Sequence, residues 1–134
     1  MITAVDTSVL LDVFLDDPTF ADASEAALAT ALSQGAVVVC DAVLAETRAI
    51  FGNSDLFSGA LEALGIEYAP SSRKAAELAG GTWQEYRARG GKRDRIVADF
   101  LIGAHAASDA ERLLTRDRGF YRSYFQSLTV WTPG

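Results

Sequence analysis

Residues 2–14 read ITAVDTSVLLDVF, and this stretch decides the fold. The short apolar run at residues 2–5 predicts a buried strand, which ends at Asp6. Thr7 and Ser8 then offer hydroxyl groups for a helix start, and the spacing of the apolar residues that follow predicts a helix. The stretch therefore places a carboxylate at the exit of a strand, beside the free N–H groups of a helix start. Taken alone, Asp6 is most simply a helix cap.

The rest of the chain repeats this alternation of strand and helix. Apolar runs predict four further strands, at residues 36–40, 66–69, 112–115 and 128–131. Helical patterns predict six further helices, at residues 21–32, 41–51, 55–64, 71–86, 95–107 and 119–125. Strands that do not alternate polar with apolar residues favour a mostly parallel sheet with flanking helices. The sequence therefore predicts a single α/β domain over residues 1–134.

The composition is that of an ordinary globular domain. Of the 134 residues, 49% are hydrophobic and 22% are charged, which argues against disorder and against a disulfide scaffold. The one cysteine, Cys40, ends an apolar run and is expected to be a small buried side chain. No apolar run approaches the ~20 residues that a membrane helix needs, and no secretory leader is evident. We therefore expect a cytoplasmic protein without membrane contact.

The charges are distributed unevenly along the chain. Residues 1–70 hold 11 acidic residues and one basic residue, whereas residues 71–134 hold 7 acidic and 11 basic residues. Five of these basic residues fall within residues 87–95, RARGGKRDR. A basic patch beside an acidic pocket suits a metal-dependent enzyme that acts on a polyanion, although a solvated arginine-rich loop would have the same composition.

Four carboxylates are expected to meet at one edge of the sheet. Asp6 follows the first predicted strand, Glu46 lies early in the helix after the second, and Asp117 comes two residues after the fourth. Asp99 lies in the first turns of a helix that must begin at this same edge. Because ligands of open parallel sheets bind beyond the carboxyl ends of the strands, these four residues are candidate catalytic residues.

A divalent cation would remove the repulsion among these carboxylates, since like charges at short range raise one another's pKa. The chain has one histidine and one cysteine, which disfavours zinc. Oxygen ligands alone favour Mg²⁺ or Mn²⁺, ions that also bind substrate phosphate. The reaction that suits such a site is phosphodiester hydrolysis by a metal-activated water.

Other polar residues are expected to have structural roles. Asp12 is expected on a solvated acidic face, as are Asp16, Asp17 and Asp22. Asp41 is expected to cap the helix after the second strand, and Asp94 either caps the next long helix or approaches the metal. His105 lies about 240° around its helix from Asp99, so we expect a surface or packing histidine rather than a general base.

Glycines and aromatic residues of the second half also carry expectations. Gly80 and Gly81 interrupt a helix, which predicts a bend or close packing there. Gly103 predicts close packing of the following helix against a neighbour. Trp83 and Tyr86 fit a core or a subunit interface better than a platform for base stacking.

Four segments resemble a known family. VDTSVLLDVF at residues 5–14, VLAET at 43–47, ADFLIGAHA at 98–106 and LLTRDRGFYRSYF at 113–125 resemble the PIN-domain ribonucleases, and more narrowly the VapC-type toxins of toxin–antitoxin pairs. The resemblance implies a three-layer α/β/α sandwich with a central, mostly parallel sheet. It also implies an acidic catalytic centre at the positions already singled out, Asp6, Glu46, Asp99 and Asp117.

The resemblance further implies a cofactor and partners. Mg²⁺ or Mn²⁺ would bind Asp6, Asp99 and Asp117, with the hydroxyls of Ser8 and Thr115 assisting. The substrate would be a structured RNA, commonly a transfer or ribosomal RNA. The protein would form a homodimer and bind a VapB-type antitoxin. The residues expected to hold RNA phosphates are Arg87, Arg89, Lys92, Arg93, Arg95, Arg116 and Arg118.

Two other functions would also use an aspartate at the end of the first strand. A non-catalytic interaction module would use the acids to bind a structural cation or an arginine of a partner. A phosphotransfer protein would also place an aspartate after the first strand, but it needs a second acid nearby and a lysine after a late strand. The sequence has Ser8 at the first of these places, and its only lysines are Lys74 and Lys92. Phosphotransfer is therefore disfavoured.

Overall fold

The computed structural model describes all 134 residues, which form five strands and seven helices. The strands are β1 (Thr3–Val5), β2 (Val37–Val39), β3 (Glu67–Tyr68), β4 (Arg112–Leu114) and β5 (Val130–Trp131). The helices are α1 (Thr7–Phe14), α2 (Ala21–Gln34), α3 (Asp41–Arg48), α4 (Ser54–Leu64), α5 (Arg73–Ala88), α6 (Val97–Asp109) and α7 (Arg118–Tyr124). Every predicted strand is present in the predicted order, and each is shorter than predicted.

The five strands form one parallel sheet in the order β3-β2-β1-β4-β5. The chain moves outward from β1 to β3, then returns past β1 to β4 and β5. Because crossovers between parallel strands are right-handed, this reversal places α1–α4 on one face of the sheet and α5–α7 on the other. The predicted three-layer α/β/α sandwich is confirmed. β1 and β4 flank the point at which the direction reverses, where open sheets form a crevice.

The central strands of the sheet are buried, whereas the edge strand β3 is exposed and the edge strand β5 is half-buried. All residues of β1 and β2 are buried, whereas both residues of β3 are exposed. This burial explains why the central strands are continuous apolar runs. Cys40 is 2% exposed, which confirms it as a small buried side chain. None of the helices combines the length and apolar character needed to cross a bilayer.

Most helix ends differ from the prediction by one to three residues, and one cap differs. α3 ends at Arg48 rather than at residue 51, and α6 begins at Val97 rather than at residue 95. Asp41 is the first residue of α3, and its carboxylate accepts hydrogen bonds from the N–H (3.1 Å) and hydroxyl (2.7 Å) of Ser71. The prediction that Asp41 caps α3 is wrong, because a partner elsewhere in the chain competes with the local backbone.

The sequence predicts either a surface or a packing histidine at position 105, and the structure shows that His105 is a packing residue. The side chain is 1% exposed, and burial lowers its pKa. The imidazole is therefore neutral at pH 7, where it fills space between α6 and its neighbours.

The glycines of α5 and α6 behave differently. A Cβ added at Gly80 or Gly81 would meet no atom within 4 Å, so the predicted close packing of these two glycines is wrong. A Cβ at Gly103 would lie 2.7 Å from Cδ2 of Phe125, which confirms the close approach predicted there. Gly103 is thus required by packing, whereas Gly80 and Gly81 only weaken α5.

We expect opposite effects when these two kinds of glycine are replaced. Gly103→Ala should destabilise the protein by about 1–2 kcal/mol, because overpacking against Phe125 exceeds the gain in helix propensity. Gly80→Ala should stabilise it by roughly 0.5–1 kcal/mol, because alanine favours the helix and the site has room. Urea denaturation of the two variants beside the wild type measures both effects. Equal midpoints for the two variants would contradict the packing assigned to Gly103.

Candidate functional site

Asp6 lies at the centre of the crevice, between the ends of β1 and β4. Its backbone N–H donates to the carbonyl of Leu114 at 2.9 Å, which continues the pairing of β1 with β4 beyond the strands. It is the residue before α1, yet its carboxylate makes no capping hydrogen bond to that helix. Oδ2 instead accepts from the hydroxyls of Thr115 (2.6 Å) and Ser8 (3.3 Å). The carboxylate of Asp6 is therefore held by two hydroxyl groups and does not cap α1.

Thr115 connects Asp6 to Asp117. Thr115 follows β4 directly, and its side chain is fully buried. Its hydroxyl donates to Asp6 and accepts the backbone N–H of Asp117 at 3.0 Å. Asp117 in turn caps α7, since its Oδ1 accepts the N–H of Phe120 at 3.3 Å. One buried hydroxyl thus fixes two of the predicted site residues.

The other two predicted acids reach this edge from α6 and α3. Asp99 is in the first turn of α6, where its Oδ2 accepts the N–H of Ile96 at 3.0 Å. Glu46 is exposed, and its Oε1 accepts the hydroxyl of Thr7 at 2.8 Å. Asp6, Asp99 and Asp117 all lie at helix N-termini, whose partial positive charge stabilises carboxylates.

The charges of three of the carboxylates act on the same buried groups at this edge of the sheet. Burial raises the pKa of Asp6, the hydroxyls of Thr115 and Ser8 lower it in part, and the charge of Asp99 raises it again. Burial also raises the pKa of Tyr121, and the charges of Asp6, Asp99 and Asp117 raise it further. The three carboxylates thus act on one buried phenol, which stays protonated and neutral beside them.

Arg95 supplies a positive charge at the margin of this group. Its guanidinium Nη1 lies 2.7 Å from Oδ2 of Asp117 and its Cζ lies 4.2 Å from the centroid of the Phe120 ring. Partial burial alone would lower the pKa of Arg95, but the hydrogen bond and charge of Asp117, with the charge of Asp99, raise it. Arg95 therefore neutralises Asp117 and leaves Asp6 without a cationic partner.

The donor set fits a hard cation. No three His, Cys, Asp or Glu side chains are already arranged as a metal site. Asp6, however, is a buried carboxylate whose hydrogen-bond partners are hydroxyls, and burying an uncompensated charge is costly. Asp99 and Asp117 offer further oxygens and no sulfur, the ligand type that Mg²⁺ and Mn²⁺ prefer. A cation bound here would compete with Arg95 for Asp117.

A family model supports the resemblance seen in the sequence. The model of the PIN domain matches residues 3–126. The chain belongs to the PIN domain family. The match includes all four predicted acids together with the two hydroxyl residues that hold Asp6.

Solved structures of low sequence identity share the fold of this PIN domain. VapBC2 from Rickettsia felis, bound to a DNA fragment from the promoter, matches with a TM-score of 0.75 and 18% identity over 100% of both chains. DNA-bound VapBC from Salmonella typhimurium matches with a TM-score of 0.73 and 14% identity over 98% of both chains. VapC20 from Mycobacterium tuberculosis, a sarcin-ricin loop cleaving toxin, matches with a TM-score of 0.60 and 16% identity over 95% of this chain and 98% of that one. No curated protein matches the sequence.

The basic residues of this PIN domain fall into two groups. Most of those expected to bind RNA are exposed: Arg87, Arg89, Lys92, Arg93 and Arg118. Two have partners within the chain. Arg95 pairs with Asp117, and Arg116 binds Asp12 through Nε at 2.7 Å and Nη2 at 2.9 Å. The first group is free to contact a polyanion, whereas Arg116 is committed to the fold.

Asp12 corrects one sequence prediction. Instead of lying on a solvated face, it is 2% exposed and binds both Arg116 and the hydroxyl of Ser24, at 2.8 Å. Asp94 is exposed and accepts the hydroxyl of Tyr86 at 3.2 Å. The residue that sequence reasoning missed is Tyr121. It lies four residues after Asp117, a spacing that puts both on one side of a helix and would have pointed to it.

Proposed function

We propose that this PIN domain is a VapC-type toxin, an Mg²⁺- or Mn²⁺-dependent endoribonuclease that cuts structured RNA such as transfer or ribosomal RNA. The nuclease domain would span residues 1–134. The observation that carries the proposal is the buried Asp6 carboxylate, which is held by two hydroxyls at the crevice, is linked to Asp117 through Thr115 and feels the charge of Asp99. A buried carboxylate without a cationic partner is costly, and a divalent cation that binds both this carboxylate and the substrate phosphate would offset that cost.

Asp6, Asp99 and Asp117 would hold the metal ion. When bound, the ion supplies a water of lowered pKa and offsets negative charge on the phosphate. Ser8 and Thr115 orient Asp6 by donating to its Oδ2. Glu46 is exposed and engaged only through Oε1, so its other oxygen is available to accept a proton from an attacking water. Tyr121 excludes bulk water from behind the three carboxylates.

The partners follow from the surface and from the structural neighbours. RNA phosphates would be held by the exposed basic residues, Arg87, Arg89, Lys92, Arg93 and Arg118. Arg95 and Arg116 were also expected to contact RNA, but they form salt bridges within the chain, so their contribution would be smaller. The neighbours from Rickettsia felis and Salmonella typhimurium are VapBC complexes, which supports a VapB-type antitoxin as partner. We further propose a homodimer that works in the cytoplasm, where its RNA substrates are.

Cleavage of total RNA by the purified, antitoxin-free protein tests this function. With Mg²⁺ or Mn²⁺ we expect cuts at few positions, and with chelator we expect none. Asp99→Asn should abolish the cuts, because it removes the charge of one of the three carboxylates that would hold the metal. Asparagine can still accept the N–H of Ile96, so the start of α6 should be preserved. Circular dichroism verifies that the variant is folded. Cleavage that persists in chelator, or in folded Asp99→Asn, would overturn the proposal.

A non-catalytic RNA-binding module is the second candidate. It is favoured by the Arg95–Asp117 salt bridge, which neutralises one acid in the absence of metal. The same assay separates the two functions, because the module would bind RNA and leave it intact when Mn²⁺ is added.

A further inference from the structure

A pocket of about 400 Å³ lies beside the acidic crevice, outside the residues that would hold the metal. It is formed by the end of α5, the start of α6 and the loop between them. Aromatic residues and cations share its lining: Trp83, Tyr86, Arg87, Lys92, Arg93 and Arg95. Its volume falls in the range of roughly 300–1,000 Å³ that is usual for ligand pockets.

The loop that closes the pocket is held in place by Tyr86. The phenol hydroxyl donates to the carbonyl of Lys92 at 2.6 Å and to Oδ1 of Asp94 at 3.2 Å. Gly91 passes directly over the ring, since a Cβ there would lie 2.5 Å from Cζ of Tyr86. The glycine is required by this close approach. The pocket wall is therefore built by specific contacts rather than by chance gaps in a loose loop.

The aromatic side of the pocket is anchored in the core. Tyr86 packs edge-on against Phe100, with ring centroids 5.4 Å apart, and Trp83 lies 6.4 Å from the same ring. The guanidinium of Arg87 lies 5.4 Å from the centroid of Trp83. Tyr86 is a core residue, as expected from the sequence, whereas Trp83 is only half-buried. Contrary to that expectation, its indole and the planar cation of Arg87 form the kind of surface on which proteins stack unpaired bases.

The pocket adjoins the carboxylates through shared residues. Arg95 lines it and also binds Asp117 at 2.7 Å. Val97 lines it as well, and Asp99 follows two residues later in α6. A strand whose phosphate reaches the carboxylates would therefore bring a neighbouring nucleotide to Trp83.

We propose that this pocket binds one unpaired nucleotide of the RNA, next to the bond that is cut. The base stacks on Trp83 and Arg87, and its phosphate pairs with Lys92 and Arg93. The cationic rim favours a polyanion over a second copy of a chain whose net charge is −6. A base inside a helix keeps its faces covered by its neighbours, so the pocket selects loops or bulges over duplex. This inference rests on the proposed ribonuclease function, and it adds that the RNA must present an unpaired nucleotide next to the bond that is cut.

Tryptophan fluorescence in chelator tests the pocket without cleavage. The chain has two tryptophans, so Trp131→Phe leaves Trp83 as the only one. A five-nucleotide single-stranded RNA should quench the fluorescence of this variant, and a blunt duplex of the same sequence should quench it weakly. Trp83→Ala should weaken single-strand binding, measured by fluorescence anisotropy, about 10-fold, because stacking on one aromatic ring contributes that order of affinity.

Two further variants keep the result interpretable. Trp83→Phe retains an aromatic face and should bind almost as well as the wild type, even if Trp83→Ala proves unstable. Arg73→Ala removes an exposed charge at the opposite end of α5 and should change affinity little. Equal affinity of folded Trp83→Ala and wild type, absence of quenching, or equal quenching by the duplex would each overturn the inference.

Metal-dependent cleavage measured in parallel separates the two proposals. Cleavage without quenching overturns the nucleotide pocket and leaves the nuclease. Quenching by single-stranded RNA without cleavage in Mn²⁺ supports the pocket and overturns the nuclease. Neither binding nor cleavage overturns both.

Discussion

Replacement of Asp6 by asparagine is expected to abolish RNA cleavage and, in chelator, to make the protein more stable at neutral pH. The carboxylate is 7% exposed and its hydrogen bonds come from hydroxyls, which asparagine Oδ1 can also accept. The charge that would bind the metal is lost, so cleavage should fall at least ~100-fold, since a metal ion supplies several kcal/mol of charge stabilisation. The cost of burying that charge is lost as well.

The difference in stability between Asp6→Asn and the wild type is expected to depend on pH. Burial raises the folded-state pKa of Asp6 above its ordinary value of 3.8. The contribution of Asp6 to the stability of the wild type is therefore greatest below that ordinary pKa, and it is lost as the pH rises through the raised pKa of the folded state. Asp6→Asn has no such loss. In chelator, the stability advantage of the variant should thus be absent below about pH 4 and should grow toward neutral pH.

Urea denaturation of both proteins between pH 3.5 and 8, alongside the RNA cleavage assay, measures these two effects. Glu62→Gln is the matched control, because Glu62 is an exposed carboxylate on α4 that takes part in no hydrogen bond or salt bridge. It should leave both cleavage and stability unchanged. An Asp6→Asn variant that is less stable than the wild type at pH 7 would contradict the view that the buried charge is a cost of function.

The sheet and its acidic edge could be predicted because their determinants are local or follow from topology. The runs that became β1 and β2 are buried on both faces, so they are continuous in the sequence. Once the strands are known to be parallel, the residues after them must meet at one edge. Asp6 and Asp117 needed no further information to be placed at the same edge, whereas the role of Thr115 was expected only from the family resemblance.

The roles of individual side chains were harder to predict, because they depend on partners that are distant in sequence. Asp12 and Asp41 both follow patterns that a solvated or capping residue would show. Their actual partners are Arg116 and Ser71, separated from them by 104 and 30 positions. No periodicity in a single sequence encodes such a pairing, and the tertiary hydrogen bond overrides the local preference.

The role of each helical glycine also depends on a partner that is distant in sequence. A glycine in a helical pattern indicates either a close approach or a weak position, and the choice depends on what packs above it. Phe125 lies over Gly103, whereas nothing lies over Gly80. The identity of that neighbour is set by the crossing of α6 with the end of the chain, which only the fold reveals.

Replacement of Asp12 by asparagine is expected to cost about 2 kcal/mol of the free energy of unfolding, although Asp12 is not one of the residues that would hold the metal. Its side chain is 3% exposed and carries two hydrogen bonds to Arg116, and a third comes from the buried hydroxyl of Ser24. Asparagine removes the charge from the buried end of this bridge, whereas the Arg116 side chain is 34% exposed and remains partly solvated, so the loss is that of charge-assisted hydrogen bonds. The melting temperature should fall by roughly 10 °C for a domain of this size.

The matched control is Asp16→Asn, two residues beyond the end of α1. Asp16 is exposed and its φ of 49° suits asparagine, so this change should be neutral or slightly stabilising. A double-mutant cycle with Arg116→Gln then isolates the pair, and we expect the two changes together to cost less than the sum of their separate effects. Equal melting of Asp12→Asn and Asp16→Asn would contradict a stabilising role for the Asp12–Arg116 salt bridge. Because Arg116 follows Thr115 directly, the same bridge ties α1 to the segment that holds Asp6, so a loosened bridge should also lower cleavage.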